Sequence, residues 1–121
     1  MILADTSIWI DHLRSPDDGF AAVLERGEII IHPFVIGELA CGHLRNRSEL
    51  LTLWGNLPAS PIATDEETLA FIERKKLMGL GLCYVDVHLL AATALAGTAR
   101  LWTKDKPLAS VAARLNVLYG A

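Results

Sequence analysis

A chain of 121 residues with 52% hydrophobic content has the size for one domain, residues 1–121, with a core of its own, which excludes a disordered chain or a scaffold that depends on staples. There is no basic leader before a long apolar run, and no segment nears the ~20 apolar residues of a spanning helix, so a soluble cytoplasmic protein is expected. The net charge of −3 names no partner, but setting four acids aside in one site leaves the rest slightly positive, so an anionic polymer stays open as substrate.

The chain starts with Ile2-Leu3-Ala4, a short apolar run that reads as a buried strand, and Asp5-Thr6-Ser7 follows at once. Asp5 has two readings: a cap for the next helix, or a carboxylate at the carboxyl end of a parallel strand, where ligands bind. Ile8, Trp9, His12 and Leu13 are spaced for a short amphipathic helix from Ser7 to Leu13. Ser15-Pro16-Asp17-Asp18 then offers a cap, a proline at the first helical position and two acids in the first turn, predicting a helix from Pro16 to Arg26 that Gly27 stops. Glu28 to His32 is β-branched and apolar, a second buried strand ended by Pro33.

The next segment, Phe34 to Gly42, is apolar enough for a largely buried helix, and Glu38 is its single charge. A buried carboxylate must be paired, hydrogen-bonded or bound to a metal, unless Glu38 lies on a wet stripe. Asn46-x-x-Glu49 resembles a capping box before Leu50, Leu51, Leu53, Trp54 and Leu57, and Pro58 to Ile62 suits an edge strand or loop. Thr64-x-x-Glu67 is a second box, opening a helix with Leu69, Phe71, Ile72 and Leu77 inward as far as Gly79. Arg74-Lys75-Lys76 reads as a solvated face or a phosphate contact.

Gly79 to Leu82 is a flexible break without the Gly-Lys-Ser/Thr ending of a phosphate loop. From Val85-Asp86 to Ala96 almost no polar face remains, which predicts the central buried helix, with Asp86 and His88 its only titratable groups. Asp86 suits a cap, and His88 a packed ring. Arg100 to Thr103 is another strand, Lys104-Asp105-Lys106-Pro107 turns into a last helix, and Asn116 to Tyr119 closes as a strand. Cys41 and Cys83 lack Cys-x-x-Cys spacing and stand among apolar residues, which predicts buried free thiols.

Strands alternating with helices call for a three-layer α/β/α sandwich with a short parallel sheet. In that topology Asp5, Glu38, Asp86 and Asp105 all follow strands or open helices at one end of the sheet. Four gathered carboxylates repel and raise one another's pKa values unless a divalent cation neutralises them. Oxygen donors without a His or Cys cluster suit Mg²⁺ or Mn²⁺, ions that serve phosphodiester chemistry. Arg14, Arg45, Arg47, Lys104 and Lys106 lie near the expected crevice and could hold the phosphates of an anionic polymer or be ordinary surface. Trp54 and Leu57 offer apolar surface to a second copy or a partner helix.

Four stretches, Leu3 to Ile10, Phe34 to Gly42, Asp86 to Leu95 and Leu101 to Asp105, resemble in order and spacing the acidic motifs of PIN-domain ribonucleases, and of VapC toxins of type II toxin–antitoxin systems in particular. The resemblance implies a PIN-like fold and a Mg²⁺- or Mn²⁺-dependent endoribonuclease that cuts structured RNA such as tRNA or rRNA. It also implies a homodimer held inactive by a VapB-like antitoxin. Asp5 and Asp86 would be the most direct ligands, Glu38 would complete the site, and Asp105 would hold a second ion or a bridging water. Ser7 and Thr103 would be hydroxyls orienting those carboxylates. Alternatives are a PIN-fold RNA-processing nuclease without an antitoxin and a non-catalytic RNA- or protein-binding module. A phosphoaspartyl switch domain and a haloacid-dehalogenase-type phosphatase fit poorly, because His32-Pro33 follows the second strand and Ser7 stands two after Asp5.

Overall fold

The computed structural model describes residues 1–120. In chain order the elements are β1 (Ile2–Ala4), α1 (Thr6–Arg14), α2 (Asp18–Glu25), β2 (Ile29–Ile30), α3 (Pro33–Ala40), α4 (Arg47–Asn56), α5 (Asp65–Lys75), α6 (Tyr84–Leu95), β3 (Arg100–Trp102) and α7 (Lys106–Arg114). The three strands form one parallel sheet in the order β2-β1-β3. Successive strand residues face opposite sides, and every residue of β1 and β2 is buried, so both faces of the sheet are covered, as the sandwich requires.

The chain leaves β1 for β2 on one side and returns through four helices to β3 on the other, which puts a topological switch point between β1 and β3. Ligands of open parallel sheets bind outside the carboxyl ends of the strands at such a point. Ala4 pairs with Trp102, and the Asp5 N–H donates to the Trp102 carbonyl at 3.0 Å, so Asp5 and Thr103 stand side by side just beyond the sheet.

Single parallel bridges extend the sheet, Ile31 with Ala59 at one edge and Leu101 with Leu118 at the other. The expected closing strand Asn116–Tyr119 is thus reduced to one bridge, with Asn116 in the left-handed region at φ 60°. The expected edge segment after Pro58 likewise pairs at one residue.

Several boundaries and faces differ from expectation. Asp17, not Ser15, caps α2, accepting from the Phe20 N–H at 2.9 Å, so Pro16 lies outside the helix. Asn46 takes φ 53° and makes no side-chain cap, because left-handed geometry turns its amide away from the helix N–H groups, whereas the Thr64–Glu67 box forms in both directions. Leu69 faces solvent at 58% exposure while Thr68 takes the inward position, hydroxyl to the Thr64 carbonyl at 2.8 Å. Lys76 ends α5 in the left-handed region, ahead of Gly79. Helix α3 is only half buried: Val35 and Leu39 face the core, Glu38 solvent. Cys41 and Cys83 are exposed, since both fall at helix ends where chain neighbours do not cover them. Among the described residues no helix is long and apolar enough to cross a membrane.

Trp54 is fully buried and therefore offers nothing to a partner. It stacks edge-on against Trp9 at 5.8 Å between ring centres, and Trp9 meets Phe20 at 4.8 Å, so three aromatic rings tie α1, α2 and α4 together. Helix α6 is buried from Val87 to Thr93, as its composition predicts.

Candidate active site

Asp5 is the hub. Its backbone caps α1, its residue exposure is 5%, and its carboxylate accepts from three donors. Oδ1 takes the Ser7 hydroxyl at 2.5 Å and the Ile8 N–H at 3.1 Å, and Oδ2 takes the Thr103 hydroxyl. Burial pushes the Asp5 carboxyl above its usual range; the two hydroxyls and the Ile8 N–H pull it back, and the charge of Asp86 pushes it up again.

Each of the other acids divides its oxygens. Asp86 opens α6, its Oδ2 accepting from the Cys83 N–H at 3.2 Å. Glu38 accepts the Thr6 hydroxyl on Oε1 at 2.6 Å, which fastens α3 to the residue next to Asp5. Asp105 caps α7, Oδ2 accepting from the Leu108 N–H at 2.9 Å, while its own N–H donates to Thr103 Oγ1 at 3.0 Å. Asp86 Oδ1, Glu38 Oε2 and Asp105 Oδ1 keep no hydrogen-bond partner among the described residues, and Asp5 Oδ2 has room for another. Capping and ligand binding are therefore not rival readings of these residues, because one oxygen serves each.

Glu38 and Asp105 are connected to Asp5 through Thr6 and Thr103 rather than packed against it. Among the described residues no three His, Cys, Asp or Glu side chains stand close enough to form a ready cage for one ion. The donor set nevertheless fits a hard cation: it is all oxygen, it leaves lone pairs open, and its buried member is driven toward protonation by burial and by a second carboxylate, a strain that a divalent cation relieves.

The Ser7 and Thr103 hydroxyls lie one against each oxygen of Asp5. The Lys104 N–H donates to Ser7 Oγ at 3.1 Å, closing a ring of contacts around the hub. Thr6 was not anticipated; its only signal was a hydroxyl beside a candidate acid. Among the cations, Lys104 pairs with Asp11, not with Asp105, and Arg14 lines two cavities, one of which also holds Glu38. Arg45 lines the cavity that also holds Glu38, and Arg47 donates to the Gly42 carbonyl at 3.3 Å. Lys106 is exposed at the start of α7.

His88 is packed as expected, its Nε2 3.1 Å from Asp65, which also accepts the Tyr84 hydroxyl at 2.8 Å. These contacts join α5 to the start of α6 and so hold Asp86 in place.

This is an α/β fold with a buried carboxylate at the end of its central parallel strand, and the PIN domain family model matches residues 2–114. The chain belongs to the PIN-domain family. Within it the chain is 45% identical over 117 residues to Ribonuclease VapC32 of Mycobacterium tuberculosis, in strains CDC 1551 / Oshkosh and ATCC 25618 / H37Rv, covering 97% of this chain and 94% of the relative, which places it among VapC-type PIN ribonucleases. The fold is also that of a chain in the solved structure of FitAB bound to an IR36 DNA fragment, with a TM-score of 0.62 and 18% identity over 93% of this chain and 91% of that one.

Proposed function

We propose that this chain is a Mg²⁺- or Mn²⁺-dependent endoribonuclease of the VapC toxin type, acting in the cytoplasm on structured RNA such as tRNA or rRNA. The observation that carries this reading is Asp5: a buried carboxylate at the end of the central strand, held by hydroxyls on both oxygens and left with an open lone pair. Asp5 and Asp86 would hold the cation most directly, with Glu38 completing the site and Asp105 holding a second ion or a bridging water.

A divalent cation bound there supplies charge neutralisation and an activated water for in-line attack at phosphorus. The chain's own residues do the rest. Ser7 and Thr103 fix the plane of the Asp5 carboxylate, so its open lone pair has one direction. Thr6 holds Glu38 in the same way. Arg14, Arg45, Arg47, Lys104 and Lys106 are the side chains that would hold the RNA backbone.

The apolar cavity of about 450 Å³ lined by Ile10, Leu13, Leu39, Leu44 and Leu50 suits the nonpolar side of a VapB-like antitoxin helix, with Glu38 at its rim. The active form is a homodimer; a light-scattering mass of one chain at every concentration would remove that part of the reading.

The test is cleavage of total tRNA and rRNA by purified protein in Mg²⁺ or Mn²⁺, compared with EDTA. Cutting that stops in EDTA and returns with metal is expected. Well-folded, metal-loaded protein that cuts neither RNA would favour the binding-module alternative.

A further inference from the structure

A second cavity, of about 430 Å³, opens beside the acids between α1, the turn into α2 and the end of β3. Part of its wall is aromatic. His12 meets Phe20 at 4.6 Å between ring centres and Phe20 meets Trp102 at 5.6 Å, while Tyr119, outside the cavity, packs against Trp102 at 4.7 Å. Trp9 and Trp54 are buried to 1% and 0%, so Trp102, half-buried at this cavity, is the one tryptophan that keeps an accessible ring.

The rest of the wall is charged. Arg14 and Lys104 face it together with Asp11 and Asp17. Asp17 is committed to capping α2, and its N–H donates to His12 Nδ1 at 3.0 Å, which makes Nε2–H the donor of the neutral His12 ring and leaves it without a partner among the described residues. Lys104 is held only by a solvent-exposed ion pair with Asp11, a kind of contact worth little and easily exchanged for a phosphate. The Lys104 backbone leads directly to Ser7 and Asp5.

Two cations balanced by two acids give a bare polyanion no net attraction, and an apolar peptide would leave the charges unanswered. A flat aromatic group carrying a phosphate answers both. We infer that this cavity is a nucleobase subsite: an unpaired base of the RNA stacks on Trp102 and His12 while Lys104, released from Asp11, takes the adjoining phosphate. The inference rests on the nuclease reading above and narrows its substrate to RNA whose base next to the cut can leave its stack, a nucleotide of a loop or single strand.

The test uses wild-type protein and two probes, a short single-stranded 2′-O-methyl oligoribonucleotide of mixed sequence, which resists cleavage, and inorganic polyphosphate, which has charge without bases. The oligonucleotide is expected to quench tryptophan emission and polyphosphate to leave it unchanged. His12→Ala, its fold checked by circular dichroism, is expected to weaken oligonucleotide binding about tenfold, the scale of one lost stacking contact. Trp102→Phe keeps a stacking ring and is expected to lose the quenching but keep the affinity in filter binding.

Equal effects of the two probes on emission, or oligonucleotide binding indifferent to His12→Ala, would overturn the subsite even if metal-dependent cleavage is found. Base-dependent quenching by a chain that never cuts RNA would uphold the subsite and overturn the nuclease reading instead.

Discussion

Replacing Thr103 by valine keeps the shape of the side chain and removes the hydroxyl that donates to Asp5 Oδ2. A hydrogen bond to a charged group contributes about 1.5–3 kcal/mol, and losing it leaves a buried carboxylate oxygen with no donor. The second lost contact, from the Asp105 N–H to Thr103 Oγ1, lies in exposed chain where water replaces it. The added methyl on a half-buried side chain returns part of the loss, by less than the ~0.8 kcal/mol of a fully buried methylene. The net cost should be about 2 kcal/mol near neutral pH, which with an m value of about 1.5 kcal/mol per molar moves the urea midpoint down by a little over 1 M.

The pH dependence is the sharper part. The folded-state Asp5 carboxyl lies above the ordinary aspartate range, so as pH rises through that window its ionisation costs stability. The Thr103 hydroxyl draws the folded value down, and its removal lets the value climb further. The variant's folded state therefore binds its proton more readily than the wild type's, and its deficit is largest above both folded values and shrinks as pH falls through them. Urea melts of both proteins across the acid range measure this. A midpoint shift that is absent at neutral pH, or that stays constant as pH falls, would refute the assigned role of Thr103.

Glu38→Gln should lower metal-dependent cleavage by more than the about 10–100-fold typical of an outer-sphere partner, yet change stability by less than about 0.5 kcal/mol because Glu38 is exposed; a urea melt and an initial-rate assay together check this. His32 is fully buried with Nε2 unpartnered, and burial, aided by the charge of His88, lowers its pKa from 6.5 to about 4. The unfolded chain then binds the proton first, so stability present above pH 6.5 is lost by about 3 kcal/mol on the way down to pH 4, and His32→Asn, which keeps a capping oxygen for α3, should flatten that slope in pH-dependent melts. Trp54→Ala should cost about 3–5 kcal/mol through the cavity it leaves, as read in chemical denaturation, with no change in self-association by light scattering beyond what unfolding causes.

The order of elements and the parallel sheet were legible because short apolar runs such as Ile2 to Ala4 and Ile29 to Ile31 can only be buried strands, and the near-continuous apolar run of α6 can only be a central helix. The outer faces were harder to read. Leu69 and Thr68 exchanged places because a threonine can satisfy its hydroxyl on its own helix and then pack inward, which apolar periodicity does not register. Trp54 read as spare surface since the sequence could not show that Trp9 and Phe20 would be waiting for it. At the site, Asp5 was legible from its place at the end of the first strand, whereas Ser7 and Thr103 were expected only through the resemblance to PIN ribonucleases; they meet because β1 and β3 end side by side. The Thr6–Glu38 bond and the pairing of Lys104 with Asp11 depend on how α1 lies across α3 and β3, over separations of 32 and 93 residues. The competition between capping and function for Asp5 and Asp86 was an artefact of treating a carboxylate as one acceptor rather than two.

The central claim is that these carboxylates bind a divalent cation, and the most direct measurement is a Mn²⁺ titration followed by the electron paramagnetic resonance signal of the free ion, on wild type and on Asp5→Asn. Asparagine caps a helix about as well as aspartate, so the variant should stay folded. The account predicts saturable Mn²⁺ uptake by the wild type that Asp5→Asn abolishes. Identical uptake by the two proteins, or none by folded wild type, would contradict it.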